Sequence, residues 1–313
     1  MNNRFSPFLF KIGTRKSALA LFQANWVKDR IEELYPGIEI ELVKIVTGGD
    51  KILDSPLAKI GGKGLFVKEI EEALLSGEID IAVHSMKDMP VIIPEGLVIA
   101  AVPQREDPYD ALISRNGDLL IHLTEGAKVG TSSLRRSVQI KMQRPDLDVQ
   151  VLRGNLDTRI RKLDEGQFDA IIVAVAGLNR LGFKHRIVEF LTPPHFIPAV
   201  GQGAIAIETR ERDERVRNLL EPLEHAPTRI VIKAERAFLR NLGGGCQAPI
   251  AAHAIFLDDG KVHLQGMVSS LDGKEVIRGE MEGTPAEAYH IGAKLAWRLL
   301  DKGARNILKD IYG

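Results

Sequence analysis

Apolar and polar positions change period in a regular order along the chain. After Lys11-Ile12-Gly13-Thr14-Arg15-Lys16-Ser17, the residues Leu19, Phe22, Trp26, Val27 and Leu34 recur at roughly helical spacing, which predicts an amphipathic helix with them near one face. A β-type run follows from Ile38 to Val46, then a helical segment ending near a glycine, then an apolar strand. The order returns from Lys128-Val129-Gly130-Thr131-Ser132-Ser133-Leu134-Arg135-Arg136, with its own β-type run from Val149 to Leu152. The closing steps match closely. Leu75-Ser76-Gly77-Glu78-Ile79-Asp80-Ile81-Ala82-Val83 and Leu163-Asp164-Glu165-Gly166-Gln167-Phe168-Asp169-Ala170-Ile171-Ile172-Val173 share the order of Gly, Asp and apolar residues. Strand, glycine turn, helix and strand in succession predict two similar α/β lobes, each a parallel-rich sheet flanked by helices.

Prolines punctuate this pattern. Pro103 to Pro108 reads as a hinge between the lobes, and Pro193-Pro194 to Pro198 as a second crossing. The strand-like Ala204 to Glu208 then returns to the first lobe's sheet. From Pro227 the character changes to a helix over Thr228–Leu242 that buries Ile230, Ala234, Phe238 and Leu242, strands near Ile250–Leu257 and Val262–Val268, and a last helix over Pro285–Leu300. The expected division is a first α/β lobe of residues 1–103 with 200–221, a second of residues 109–197, and a small C-terminal α+β domain of residues 226–313. In such sheets ligands meet the carboxyl ends of strands, where helix amino termini present free N–H groups. Thr14–Ser17 and Gly130–Ser133 are two such places, and lobes with facing anion sites would make a cleft.

Composition narrows the chemistry. The 313 residues are 44% hydrophobic and 27% charged, ordinary for a globular protein with substantial cores and against disorder. Met1 to Phe10 hold no hydrophobic stretch of signal-peptide length, and no segment reaches the roughly 18 apolar residues of a membrane span, so a cytosolic or organelle-matrix protein is expected. A single cysteine allows no intrachain disulfide and no Cys/His zinc cluster, so no metal is expected. Net charge is zero, yet Lys128 to Arg186 holds twelve Lys and Arg against six Asp and Glu. That region expects anions. Two Phe and no Tyr or Trp interleave with its basic residues, which favours small carboxylates or phosphates over nucleic acid.

Four features carry chemistry. Cys246 follows Gly243, Gly244 and Gly245, a setting unlike the Val, Ile and Leu runs around core cysteines, and so invites covalent chemistry. Asp88, in His84-Ser85-Met86-Lys87-Asp88-Met89-Pro90, follows an apolar strand and falls at its carboxyl end; the same position suits a turn residue, so this segment leaves both roles open. Arg135, Arg136, Arg153, Arg159 and Arg180 stand at strand ends and helix starts, where guanidinium groups suit paired recognition of carboxylates. Lys51 to Gly64 combines glycines and lysines as either a lid or an ordinary surface loop would, and its Gly61-Gly62-Lys63-Gly64 lacks the spacing and Ser/Thr of a phosphate loop.

Taken in order, Gly13–Ser17, Lys59–Phe66, His84–Pro90, Val129–Arg136, Arg153-Gly154-Asn155, Ala199–Gly203 and Gly243–Gln247 resemble the hydroxymethylbilane synthase (porphobilinogen deaminase) family over essentially the whole chain. The resemblance implies two periplasmic-binding-protein-like lobes plus a C-terminal domain. It implies a covalent dipyrromethane cofactor on a thioether to Cys246, on which four porphobilinogen molecules are condensed with loss of ammonia before the linear tetrapyrrole is hydrolysed free. It implies a catalytic Asp88. It implies cofactor binding by Ser85, Lys87, Asp88, Thr131, Ser133, Arg135, Arg136 and Gly154, and substrate binding by Arg15, Lys63, Arg153, Arg159 and Arg180. The resemblance implies a monomer, and the composition leads to the expectation of a cytoplasmic protein with no nucleic-acid or membrane partner. The rival reading is a two-lobed solute-binding protein for small anions, which shares the repeated α/β architecture but has no use for a thiol on a glycine loop.

Overall fold

The structure, a computed structural model, describes residues 9–51, 67–244 and 248–312. Most of the Lys51–Gly64 loop, Lys63 and Cys246 therefore lie outside the described residues. The chain forms two compact units. The first holds the described residues up to Lys51, Val67–Arg105 and Ala204–Ala226; the second holds Glu106–Gly203 and the chain from Pro227 onward. Residues 193–198, expected to cross between lobes, stay in the second unit, and the chain leaves it between Gly203 and Ala204.

The first unit is built on β1 (Leu9–Arg15), α1 (Ala18–Leu34), β2 (Glu39–Ile45), α2 (Gly48–Lys51), α3 (Lys68–Ser76), β3 (Ile81–Ser85) and β4 (Leu97–Ala101). To these it adds β10 (Ile205–Arg210) and α7 (Glu214–Leu220). Its sheet runs β2-β1-β3-β10-β4, with β1 parallel to β2 and β3, and β10 antiparallel to both of its neighbours. One face buries Phe10, Ile12, Ile81, Val83, Ile205 and Ile207 against α1 and α7; another cluster gathers Ala82, Ile79 and Leu97 with Ile70 and Leu74 of α3. The stripe that α1 buries is Gln23, Ala24, Val27 and Ile31, not the one its largest apolar residues suggest. Phe22 is 41% exposed because it lies roughly 150° round the helix from that stripe at 3.6 residues per turn. Leu34, 45% exposed, shares the stripe's angle but falls in the last turn.

The second unit repeats the layout with β5 (Asp110–Ser114), β6 (Lys128–Gly130), α4 (Leu134–Gln143), β7 (Asp148–Gln150), α5 (Leu156–Asp164), β8 (Ala170–Ala174), α6 (Val175–Arg180) and β9 (Glu189–Leu191). The sheet order is β7-β6-β8-β5-β9, again three parallel strands, then one reversed strand, then an edge. The Gly–Asp correspondence read from sequence has a structural cause. Asp80 accepts from the backbone N–H of Lys11 at 2.8 Å, and Asp169 accepts from that of Lys128 at 2.8 Å. Asp80 thus ties β1 to the loop that leads into β3, and Asp169 ties β6 to the loop that leads into β8.

The C-terminal part packs α8 (Ala226–Asn241), α9 (Ala288–Leu299) and α10 (Arg305–Tyr312) with an antiparallel sheet of β11 (Ile250–Phe256), β12 (Val262–Ser269) and β13 (Val276–Gly283). The strand β13 and helix α10 were not legible as periodic runs. The face that α8 buries includes Val231, Ala234, Ala237 and Phe238, with Ile230 only half-buried. This part joins the second lobe through Ile197, Ala251 and Met267, and through Ala252, whose N–H donates to the Pro198 carbonyl at 3.2 Å.

Gly292 lets α9 lie against α8. A Cβ there would stand 2.1 Å from the Ala234 carbonyl oxygen and 2.7 Å from the Phe238 nitrogen, both backbone atoms that cannot swing away. Gly292→Ala should therefore force the helices apart at a cost of about 1–3 kcal/mol, read as a lower urea midpoint with unchanged slope.

Candidate active site

In the first unit, strand ends and a helix start converge. Arg15 ends β1, Ser17 caps α1 by accepting from the Ala20 N–H at 3.3 Å, and β3 ends at Ser85 before a tight turn over Met86–Asp88. Together with Gln23 these elements line a small open recess, which includes Arg15, Ser17, Ser85 and Asp88. Ser85 is held from below by the buried Gln23, whose amide exchanges hydrogen bonds with its hydroxyl at 3.1 and 3.2 Å. The turn hangs from the residue that leads into β10, since Met86 N–H donates to the Ala204 carbonyl at 3.0 Å. Asp88 is half-buried, and its carboxylate has no hydrogen-bond or ion-pair partner among the described residues. A carboxylate held on a pinned turn with its acceptor sites unused can meet an N–H or a cation without first giving up a bond. Lys87 shares the turn and is half-buried.

In the second unit the corresponding place is built around a carboxylate. Asp110, wholly buried at the start of β5, accepts from Arg135 Nη1 at 2.6 Å and from Arg136 Nε at 2.9 Å, while Gln202 Nε2 donates to it at 3.0 Å. Backbone carbonyls take further guanidinium protons: Ile197 from Arg135 Nη1 at 2.8 Å and Ile172 from Arg136 Nη1 at 3.1 Å. Burial opposes ionisation of Asp110, but the charges of Arg135 and Arg136 and the bonds from Arg135 and Gln202 outweigh it and hold the carboxyl well below the usual range. Burial pushes Arg136 down, opposed by Asp110 and assisted by Arg135, yet a guanidinium keeps its proton. Two cations against one anion leave the cluster with one net positive charge.

Arg135 and Arg136 are therefore 5% and 6% exposed and partly committed to the fold, not surface groups standing clear of it. Arg135 spends only Nη1 on the described residues, so its other two nitrogens are unspent there. Thr131 is buried and its hydroxyl accepts from the Ser133 N–H at 3.2 Å; Ser133 caps α4 by accepting from the Arg136 N–H at 3.4 Å. Gly154 follows β7, and a Cβ on it would come within 2.6 Å of the Thr158 side chain. Its carbonyl accepts from Arg159 Nε at 2.8 Å. Arg153, half-buried, has no side-chain partner among the described residues. Arg180 is turned to the Gly203 carbonyl at 2.7 Å and lies near Glu106, so it holds the two strands of chain that leave the unit. Among the described residues no group of three or more His, Cys, Asp or Glu could hold a metal ion.

Asp110, Gln202, Gln139 and Gln23 were missed from sequence. Gln139 pairs both amide atoms with the backbone of Ile197, at 3.0 and 2.7 Å. The available signal for Asp110 was an acid heading the apolar run Ala111-Leu112-Ile113, since a carboxylate in a buried strand needs a cation.

Known proteins bear on this arrangement. Residues 10–218 match the family model described as porphobilinogen deaminase, dipyromethane cofactor binding domain, and residues 230–301 match porphobilinogen deaminase, C-terminal domain. The porphobilinogen deaminase of Syntrophobacter fumaroxidans is 55% identical over 304 residues, covering 97% of this chain and 98% of that protein. That of Pelobacter propionicus is 52% identical over 306 residues, covering 98% of each. Among solved structures, the methionine binding protein MetQ aligns at 16% identity with a TM-score of 0.44, over 69% of this chain and 90% of that one; a likeness that loose bears no weight.

Removing the shared carboxylate tests the cluster. Asp110→Asn should cost about 3–5 kcal/mol, because it leaves two buried guanidinium groups without their anion. The sign with pH follows from the depressed carboxyl. In the wild type this stabilisation is full above the unfolded aspartate pKa of about 3.9 and is lost as pH falls below it. Denaturation curves should therefore separate the two proteins at pH 7 and bring them closer towards pH 2.

Proposed function

The chain belongs to the porphobilinogen deaminase family, and on that premise we propose that it is a hydroxymethylbilane synthase, a transferase that condenses four porphobilinogen molecules with loss of ammonia and releases a linear tetrapyrrole. The observation that carries the reading is the unpartnered Asp88 carboxylate on a pinned turn beside Arg15. The residues fit the family's dipyrromethane cofactor, whose pyrrole rings bear acetate and propionate groups. Those carboxylates suit the net positive Arg135–Arg136–Asp110 cluster, and a pyrrole N–H suits the free acceptor of Asp88. When bound through the Cys246 sulfur, the cofactor supplies the nucleophilic pyrrole carbon to which substrate is joined.

The chain's own groups do the rest. Arg15, Lys63, Arg153, Arg159 and Arg180 are assigned to substrate carboxylates, with Arg153 the best placed by its lack of a partner. Arg180 is the least available, since its guanidinium already serves Gly203. Ser85, Lys87, Thr131, Ser133 and Gly154 are assigned to the cofactor's side chains. Asp88 stabilises the positive charge that spreads to the substrate's pyrrole nitrogen as ammonia departs, and can accept or return a proton at that N–H. A monomeric cytoplasmic enzyme completes the reading; among the described residues no helix is long and apolar enough to cross a membrane. A solute-binding role is disfavoured, since both matching family models describe porphobilinogen deaminase.

Intact mass tests the covalent anchor. Cys246→Ser should show the bare polypeptide mass and no turnover, whereas the wild type should carry two extra pyrrole units; an adduct persisting in the variant would place the attachment elsewhere.

Asp88→Asn should keep the adduct and substrate affinity but lower turnover by about 10²- to 10³-fold, about 2.7–4 kcal/mol of barrier. Single-turnover ammonia release at the wild-type rate in this variant would make Asp88 a structural turn residue.

A further inference from the structure

On the α3 side of the first unit's sheet, just before the Ser85–Asp88 turn, three ionisable side chains are buried together. The register of β10 sets Ala206 opposite His84 and Glu208 opposite Ala82, so strand alternation puts His84 and Glu208 on one face. Glu71 of α3 lies close enough for the charges of both to act on it. His84, Glu208 and Glu71 are 5%, 0% and 7% exposed. His84 Nε2 stands 3.2 Å from Glu208 Oε2, but neither atom, nor Glu208 Oε1, nor Glu71 Oε1, makes an aligned hydrogen bond among the described residues.

Neighbouring charges are engaged elsewhere. Arg210 of β10 serves Asp80, Asp213 and the carbonyls of Leu74 and Ile79. Glu69 of α3 accepts from the Gly48 N–H, and Lys68 reaches Glu72 on the exposed side. The strand β4 brings no titratable side chain, and β1 brings Lys11 and Arg15. Among the described residues, the charges that act on Glu71 are those of Glu208 and His84. Glu71 has no Lys or Arg beside it in the cluster, and a buried carboxylate without a close cation of that kind tends to keep its proton. Burial first, then the charge of Glu208, push Glu71 up to about 7, with His84 opposing.

His84 directly precedes Ser85, and Ala204, the residue just before the strand β10 that carries Glu208, supplies the carbonyl from which the turn hangs. We propose that His84 is a positioning residue for the Asp88 turn, oriented by Glu208, with Glu71 as a proton-holding third member that keeps the cluster from acquiring an unanswered negative charge. The proposal rests on the role given to Asp88 above. It predicts that α3, β3 and β10 stay in register at the turn while the extra proton is present, and that ionisation of Glu71 sets two carboxylates against each other across the helix–sheet contact.

Carbon-13 NMR of protein labelled at the glutamate side-chain carboxyls tests the proton directly. One carboxyl should titrate near pH 7 in the wild type and vanish from that range in Glu71→Gln. A folded-state pKa above the unfolded glutamate value of about 4.3 costs stability as pH rises past that value, the full cost being reached above pH 7. Glu71→Gln escapes this cost, so its stability should gain on the wild type over that interval. In porphobilinogen turnover, Glu208→Gln should lower kcat by up to about 100-fold while KM changes by no more than about twofold. The wild-type kcat should also pass through a step near pH 7 that Glu71→Gln abolishes. No glutamate carboxyl titrating above about pH 6, a wild-type kcat in Glu208→Gln, or an unaltered kcat profile in Glu71→Gln would each overturn the proposal. A wild type without any turnover would instead sink the assigned reaction, and the NMR titration would still report on the cluster.

Discussion

Asp110 is a single carboxylate asked to serve two buried guanidinium groups, and the second unit is arranged around that requirement. Removing Arg135 and Arg136 from water costs several kcal/mol per ion, offset only as far as their charge and protons find partners. Ile172 and Ile197 add backbone carbonyls, and Gln202 donates to the same Asp110 Oδ1 that accepts from Arg136 Nε. Those partners come from β8, from the segment after β9, and from the chain about to leave the unit. Two side chains of one helix thus hold together segments distant in sequence. The leftover positive charge makes the same cluster attractive to an anion, so fold and proposed function draw on one electrostatic arrangement.

The two lobes solve a topological problem in the same way. Each begins with parallel strands joined through helices, and each sheet is completed by a reversed strand borrowed from a crossing of the chain, β10 in the first and β5 in the second. The crossings place β10 next to β3 in the first sheet and β5 next to β8 in the second. Glu106 and Gly203 mark the point where the two crossings touch, with the Glu106 N–H donating to the Gly203 carbonyl at 3.3 Å.

Acidic residues in the first unit show how position alone divides labour. Asp80 ties strand to loop through a backbone N–H, Glu208 is buried beside an imidazole, Glu71 is buried with no Lys or Arg beside it in the cluster, and Asp88 is left with its acceptor sites open. A carboxylate that is already bonded is spent; one that is pinned through its backbone but unbonded at its oxygens is available for chemistry.

Sequence periodicity determined the repeat of strand, helix and strand, because burial of one face enforces a fixed spacing of apolar residues within each element. It also marked the strand ends and helix starts where Arg15, Ser85, Asp88 and Arg135 fall, since backbone geometry there depends on local residues. It misjudged which side of α1 is buried, where large side chains such as Phe22 stay exposed while Gln23 goes inward to hold Ser85. Nor did it read β13, where Arg278, Glu280 and Glu282 alternate as a strand requires but Gly279 and Gly283 take two of the positions facing the helix, leaving few apolar residues to mark that face. Which charges meet was decided only by the tertiary structure. Asp110 and Arg135 are 25 residues apart, and His84 and Glu208 are far more distant, so nothing local records that they will share a site. Pairing of that kind is set by strand register and helix docking, and burial then turns each juxtaposition into a partnership or a proton to be held.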